Sequence, residues 1–290
     1  MGRLRHLVDT DWLAEHLANA HLRVFDCTTR LEPAPPDSTA PYEIVSGRAE
    51  YDAAHVPGAG FLDIQGELSD PESPLPFAAP SAEHFAAAMS RHGVADGTFV
   101  VLYSAGTSAW ATRVWWLLRL FGFDDAAVLD GGWERWNTEA RPVTQVAAGY
   151  PSTRFVTRPR PEMLATKSDV LATLEDGSHQ LVNTLSPELF RGETPSRYGR
   201  PGRIPTSKSV PFASLVDPED GTFLPPAACR EILAGATDEE GAPIISYCGS
   251  GITASLVDFV LSGIDRSGSR LYDGSLSEWA PDESLPLECG

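Results

Sequence analysis

The chain repeats itself weakly at about half its own length, and that repeat limits the folds open to it. Val101-Leu102-Tyr103-Ser104 reads like Ile245-Ser246-Tyr247-Cys248. Leu129-Asp130-Gly131-Gly132 with Trp136 reads like Tyr272-Asp273-Gly274-Ser275 with Trp279. His55-Val56-Pro57-Gly58-Ala59 reads like Arg203-Ile204-Pro205-Thr206-Ser207. The three pairs keep the same order, so two copies of one domain explain them better than chance. Within each copy, short apolar runs alternate with helical patterns. Strands are expected at 22–27, 99–104 and 126–129, then at 180–184, 243–248 and 270–272. Helices are expected at 81–91 and 108–121, then at 161–174, 226–233 and 253–261. Such alternation implies an α/β chain of two domains, each a mainly parallel sheet with helices on both faces. The proline- and polar-rich stretch 138–161 has a linker's character. The expected division is 1–145, a linker at 146–160, and 161–290.

The repeat is chemically uneven. In the second copy Cys248 ends an apolar run and opens the loop Cys248-Gly249-Ser250-Gly251-Ile252-Thr253-Ala254, with a helical pattern following. Backbone N–H groups at a strand-to-helix turn can converge on one anion, and a thiolate is the anion a cysteine supplies. Gly249 and Gly251 permit positive φ and close backbone approach. The alternative reading is a buried cysteine that merely ends a strand. A phosphatase-type loop would carry an arginine six positions after the cysteine, where Ala254 stands, and no second cysteine three residues away offers a redox pair. Ser104 holds the corresponding place in the first copy and is no comparable nucleophile. One working domain and one inactive copy that shapes the cleft are therefore expected.

Composition removes other classes. A formal net charge of −18 opposes nucleic acid or an anionic membrane as partner. No apolar run is long enough for a membrane span. Asp9, Asp11 and Glu15 interrupt what would be a signal core, so a cytoplasmic protein is expected. Cys27, Cys229, Cys248 and Cys289 are scattered, as are the histidines, without metal-ligand spacing. No metal and no cofactor are expected. Against the acidic background, Arg197, Arg200 and Arg203 form a local basic cluster that suits a small anion.

Taken together these residues resemble the tandem-domain rhodanese family, the thiosulfate and 3-mercaptopyruvate sulfurtransferases. The resemblance rests on the three paired motifs, on Arg113-Val114-Trp115-Trp116, on Arg191-Gly192 and on the Cys248 loop. That loop is closest to the mercaptopyruvate branch, because the thiosulfate branch more typically has basic residues where Gly249 and Ser250 stand. The resemblance implies a ping-pong reaction. The Cys248 thiolate takes a sulfur from a small anionic donor, holds it as a persulfide, and passes it to a thiol, thioredoxin, cyanide or a protein acceptor. It implies that Ser250 orients or polarises the donor, and that Asp63 belongs to a proposed Ser-His-Asp proton relay. It implies that Arg197 holds the donor's carboxylate. The sequence departs from the family at four places, one of them Asn183-Thr184-Leu185 where the second domain would open with Asp-x-Arg. Leu189 occupies the place of a second carboxylate arginine, no histidine stands near Pro76-Phe77-Ala78, and Gly202-Arg203 replaces a glycine–histidine step. Either Arg191, Arg200 or Arg203 compensates, or the donor differs. A persulfide enzyme serving one specific acceptor and a non-catalytic binding module stay open beside the main reading.

Overall fold

The computed structural model describes residues 3–35, 42–235, 242–266 and 268–290. In chain order the strands are β1 (Leu7–Val8), β2 (Leu22–Asp26), β3 (Thr29–Glu32), β4 (Glu43–Ser46), β5 (Ala59–Phe61), β6 (Phe99–Tyr103) and β7 (Ala126–Leu129). The second half adds β8 (Leu164–Ala165), β9 (Gln180–Asn183), β10 (Lys208–Ser209), β11 (Ile244–Tyr247) and β12 (Arg270–Tyr272). One parallel sheet runs β1-β7-β6-β2-β5; the other runs β10-β9-β11-β12-β8. Read from opposite ends, the two orders match strand for strand. The central strands β6 and β7 of the first sheet are apolar throughout, as burial on both faces favours. All four residues of β7 and of β11 are buried.

The paired motifs have matching physical jobs. The Tyr103 hydroxyl accepts a hydrogen bond from Val56 N at 3.3 Å, and the Tyr247 hydroxyl accepts one from Ile204 N at 3.0 Å. Each tyrosine thus stands at a strand end and pins the Val-Pro or Ile-Pro turn beside it. Trp136 and Trp279 are fully buried, and each donates its indole N–H at 2.9 Å, to Pro142 O and Pro286 O respectively. Asp130 accepts from Phe223 N at 2.9 Å, and Asp273 accepts from Ala79 N at 2.7 Å. Each aspartate therefore holds a loop of the other domain.

The helices Ala109–Leu120 and Ile252–Gly263, which follow β6 and β11, pack against each other. Residues three and four apart make the contact, as on any helix face. Thr112 meets Ser255 at 3.2 Å, the Trp115 and Phe259 rings meet edge to face at 4.8 Å, and Arg119 donates to Ser262 at 2.8 Å. This seam sets the two strand-end turns at one domain junction.

One expected helix is corrected. The stretch 161–174 begins as a short 3-10 turn, Pro161–Met163, and then contributes β8 to the sheet edge beside β12. The helix starts only at Lys167, because Thr166 and Asp169 form a reciprocal capping box there. The linker is also less free than its composition suggests. The Tyr150 hydroxyl accepts from Val24 N and donates to Gly58 O, which fastens 138–161 to the first domain.

Candidate active site

Cys248 follows β11, the middle strand of its sheet, and is 2% exposed. Ligands in parallel sheets gather beyond the carboxyl ends of strands, and the cysteine stands at such an end. Its own N–H donates to Ser275 Oγ at 3.1 Å, and Ser275 passes a hydrogen bond to Tyr272 O at 2.8 Å. The carbonyls of Cys248 and Gly249 accept from Leu276 N and Ser277 N. The turn is thus fixed from outside, by the segment that follows β12. Among the described residues, the N–H groups of Gly249, Ser250, Gly251, Ile252 and Thr253 donate to no protein acceptor. Five donors at the start of a helix, beside a buried sulfur, form an anion cradle.

Glycine is required twice in this loop. Gly251 has φ +76°, and a Cβ there would lie 2.7 Å from Asp273 Oδ1. A Cβ on Gly249 would lie 2.0 Å from Tyr198 Cζ, so the tyrosine rests directly on the loop backbone. Behind the loop, Arg113 is fully buried. Its Nη1 lies 2.7 Å from Asp273 Oδ1 as an ion contact, its Nη2 donates to Phe77 O at 2.6 Å, and its guanidinium stacks over Trp116. The chain at Phe77 has φ +59°, an uncommon conformation for a bulky residue. The ring itself is buried between Tyr42 and Trp110. Thr253 closes the loop's far end by sharing a 2.8 Å hydrogen bond with Thr184.

The residues expected to share this site have different local partners. Ser250 is 4% exposed and accepts a hydrogen bond from the Tyr42 hydroxyl at 3.1 Å. Asp63 instead caps the short helix Ile64–Glu67, accepting from Gly66 N at 2.8 Å. Arg197 is exposed and lies over the Tyr42 ring, with its guanidinium 6.0 Å from the ring centre. The other three arginines have partners within the second domain. Arg191 forms a two-point pair with Glu193 in solvent. Arg200 donates to the carbonyls of Ala280, Asp282 and Leu285. Arg203 binds Gly290 O and lies over the Phe190 ring. Leu189 packs, half-buried, against the apolar core.

Two tyrosines escaped the sequence reading. Burial pushes the Tyr42 phenol up to about 12, so it is a neutral donor at physiological pH. Burial beside Cys248 also raises Tyr198. Tyr42 follows a proline-rich stretch and Tyr198 sits in a glycine-punctuated loop, where a single aromatic residue gives no periodic signal. Among the described residues, no three His, Cys, Asp or Glu side chains are placed to share a metal. No helix among them is long and apolar enough to cross a membrane.

Comparison with known proteins agrees with this geometry. A rhodanese-like domain model matches residues 9–139. The chain is 33% identical to the 3-mercaptopyruvate sulfurtransferase of Escherichia coli K12 over 283 residues, covering 97% of each chain. It is 32% identical to the thiosulfate sulfurtransferase of Rattus norvegicus, over 97% of this chain and 94% of that one. The crystal structure of SseA from Escherichia coli superposes with a TM-score of 0.81 at 32% identity, covering 93% of this chain and 98% of SseA. With its two matching sheets and the cysteine turn at their junction, the chain belongs to the tandem-domain rhodanese family of thiosulfate and 3-mercaptopyruvate sulfurtransferases.

Proposed function

We propose that this enzyme moves sulfur from 3-mercaptopyruvate, with thiosulfate as a second donor, through a persulfide on Cys248. The observation that carries the reading is the set of five unpaired N–H groups around a buried cysteine at the end of a central strand. Such a cradle stabilises the thiolate before the reaction and the persulfide anion after it, and asks for no metal. A purely structural turn would leave those donors buried at a cost of about 1–3 kcal/mol each, which argues against a non-catalytic module.

In this reading Arg197 holds the donor's carboxylate, and Ser250 donates to the oxygen that gains charge as the carbon–sulfur bond breaks. Arg191, Arg200 and Arg203 take no part. The donor displaces Tyr198, whose ring covers the loop. Residues 161–290 are the catalytic unit and 1–145 the inactive copy. The acceptor is a thiol, cyanide or a protein such as thioredoxin. All four cysteines are free, which fits the reducing cytoplasm.

The test is intact mass after incubation with 3-mercaptopyruvate and, separately, with thiosulfate. A gain of one sulfur atom, mapped to Cys248, is expected with both. Loading by thiosulfate alone would mean that the donor is not mercaptopyruvate. Loading at another cysteine would overturn the mechanism.

A further inference from the structure

We infer that Tyr42, contributed by the first domain, is the positioning residue of the sulfur-transfer step, because its hydroxyl fixes the direction of the Ser250 proton. The inference rests on the proposed reading of mercaptopyruvate as donor. Tyr42 is 4% exposed, and its ring is held on three sides. Phe77 stacks on it at 6.5 Å, Tyr198 meets it edge-on at 6.3 Å, and Arg197 lies over its face. So confined, its hydroxyl donates to Ser250 Oγ.

A phenol has one proton, and this one is spent on the serine oxygen. Ser250 therefore cannot point its own proton back at Tyr42. Among the described residues, that proton has no protein acceptor, although Ser250 is buried in the anion-cradling loop. A buried O–H without an acceptor is unfavourable until a ligand supplies one. Donation from Tyr42 also polarises the serine hydroxyl and makes it a stronger donor. The place where a relay histidine was expected holds Phe77, an apolar wall. The Ser250 unit thus works through two neutral hydroxyls.

The chemistry says when this matters. With mercaptopyruvate, an electron pair of the Cys248 thiolate forms a bond to the donor's sulfur. The donor's C3–S bond breaks, and its electron pair moves onto the enolate oxygen of pyruvate. The cysteine sulfur and the donor's sulfur are each oxidised by one electron, and the donor carbon C3 is reduced by two. The donor's thiol proton ends on C3, so the products are pyruvate and the persulfide anion. The enolate oxygen is the new acceptor for Ser250. With thiosulfate, the pair from the S–S bond leaves on sulfite, whose charge is spread over three oxygens and needs no proton. One aimed hydroxyl should therefore favour mercaptopyruvate far more than thiosulfate.

The test is single-turnover persulfide formation, followed by mass, with each donor. Ser250→Ala should slow loading from mercaptopyruvate about a hundredfold. Tyr42→Phe, which keeps the ring, should slow it about tenfold, with the donor concentration for half-maximal rate within about twofold. The ratio of mercaptopyruvate to thiosulfate rates should fall about tenfold in Tyr42→Phe. Because the two residues act in series, adding Tyr42→Phe to Ser250→Ala should cost less than about a further twofold. Equal slowing with both donors would mark Tyr42 as merely structural, and independent losses in the double variant would break the Tyr42–Ser250 link. Either result overturns the inference while leaving the proposed function standing. Wild-type protein that loads no sulfur from mercaptopyruvate would overturn both.

Discussion

The turns after β6 and β11 stand at equivalent places in two matching sheets, yet their N–H groups are partnered differently. After β6, Ser104 donates its hydroxyl hydrogen to Thr107 O at 2.7 Å. Ala105 N donates to Thr28 Oγ1, Gly106 N to Glu134 Oε1, and Ala109 N to Thr107 Oγ1. The first domain thus supplies acceptors for three N–H groups of its own turn, and Glu134 provides the one that is charged. After β11, the corresponding N–H groups of Gly249, Ser250 and Thr253 donate to no protein acceptor among the described residues. In the paired motif, the place of Glu134 is taken by Ser277, which carries no charge. The surroundings are reversed as well. A cavity of about 690 Å³ opens between the Ser104 turn and residues 212–221 of the other domain, while Tyr42 and Tyr198 cover the Cys248 turn. Open volume therefore does not mark the chemical site here. The supply of unspent N–H donors does.

This contrast is tested most severely by moving the thiol. Cys248→Ser should reduce sulfur transfer by more than about a thousandfold with every donor, since a serine hydroxyl is not a comparable sulfur nucleophile. The unfolding midpoint should hardly change. Placing Ser104→Cys in that background should restore nothing, because Glu134 occupies the first-domain cradle. Measurable persulfide at position 104 would show that a strand-end thiol suffices and that the open N–H groups are incidental.

The two aspartates that clasp the opposite domain offer the next comparison. Asp273 faces Arg113, which is fully buried, whereas Asp130 makes one backbone hydrogen bond near the half-buried Arg135. Asp273→Asn would leave a buried guanidinium without its counter-charge, a loss of about 3–5 kcal/mol. Asp130→Asn should cost only about 1 kcal/mol, the value of an ordinary hydrogen bond. Equilibrium unfolding of the two variants decides this. Equal losses would mean that the Arg113–Asp273 contact adds nothing to the clasp.

The repeat that revealed the fold is legible for a physical reason. Inner strands such as Ala126–Leu129 and Arg270–Tyr272 are short runs whose last residues are buried and which end in Asp-Gly, and they appear where the pattern predicts them. Edge strands β1, β8 and β10 have two residues each, too few to carry a period, and the helix pattern absorbed β8. The nucleophile turn was equally legible, because it combines a cysteine, two glycines and a helix start. The arginines were not. Arg197, Arg200 and Arg203 share one loop and one chemistry, and only the later chain decides among them. The C-terminal segment 280–290 captures Arg200 and Arg203 with its carbonyls and leaves Arg197 over the Tyr42 ring. Tyr42 was invisible for a related reason, since its partner Ser250 comes from the other domain.

Arg197 provides the third test. A carboxylate held by one arginine, with Leu189 in place of a second, should be bound weakly, and the wild-type KM for mercaptopyruvate should be high. Arg197→Ala removes a charge-assisted hydrogen bond worth about 1.5–3 kcal/mol, so KM should rise roughly ten- to hundredfold with a smaller change in kcat. Unchanged kcat/KM would show that another group holds the carboxylate.

The smallest expected effect separates the two packed helices. Asp258 lies in Ile252–Gly263, buried, accepting from Ser246 Oγ at 2.9 Å. Val114 takes the corresponding place in the first domain. Burial raises the Asp258 carboxyl to about 7 from its ordinary 3.8, and Arg119 offsets this only in part. The folded state therefore binds this proton more tightly than the unfolded chain does. The resulting stability is fully present below about pH 4 and is lost as pH rises through about 7. Between pH 5 and 7 the loss from this group is roughly 2 kcal/mol. Asp258→Val should remove that component, so the stability difference between variant and wild type should shift in the variant's favour by this amount from pH 5 to pH 7. The reference is the wild type at the same pH, which cancels the titration of every group the two proteins share. A difference that does not vary with pH would mean that Asp258 stays ionised in the folded protein, with Arg119 as its effective counter-charge.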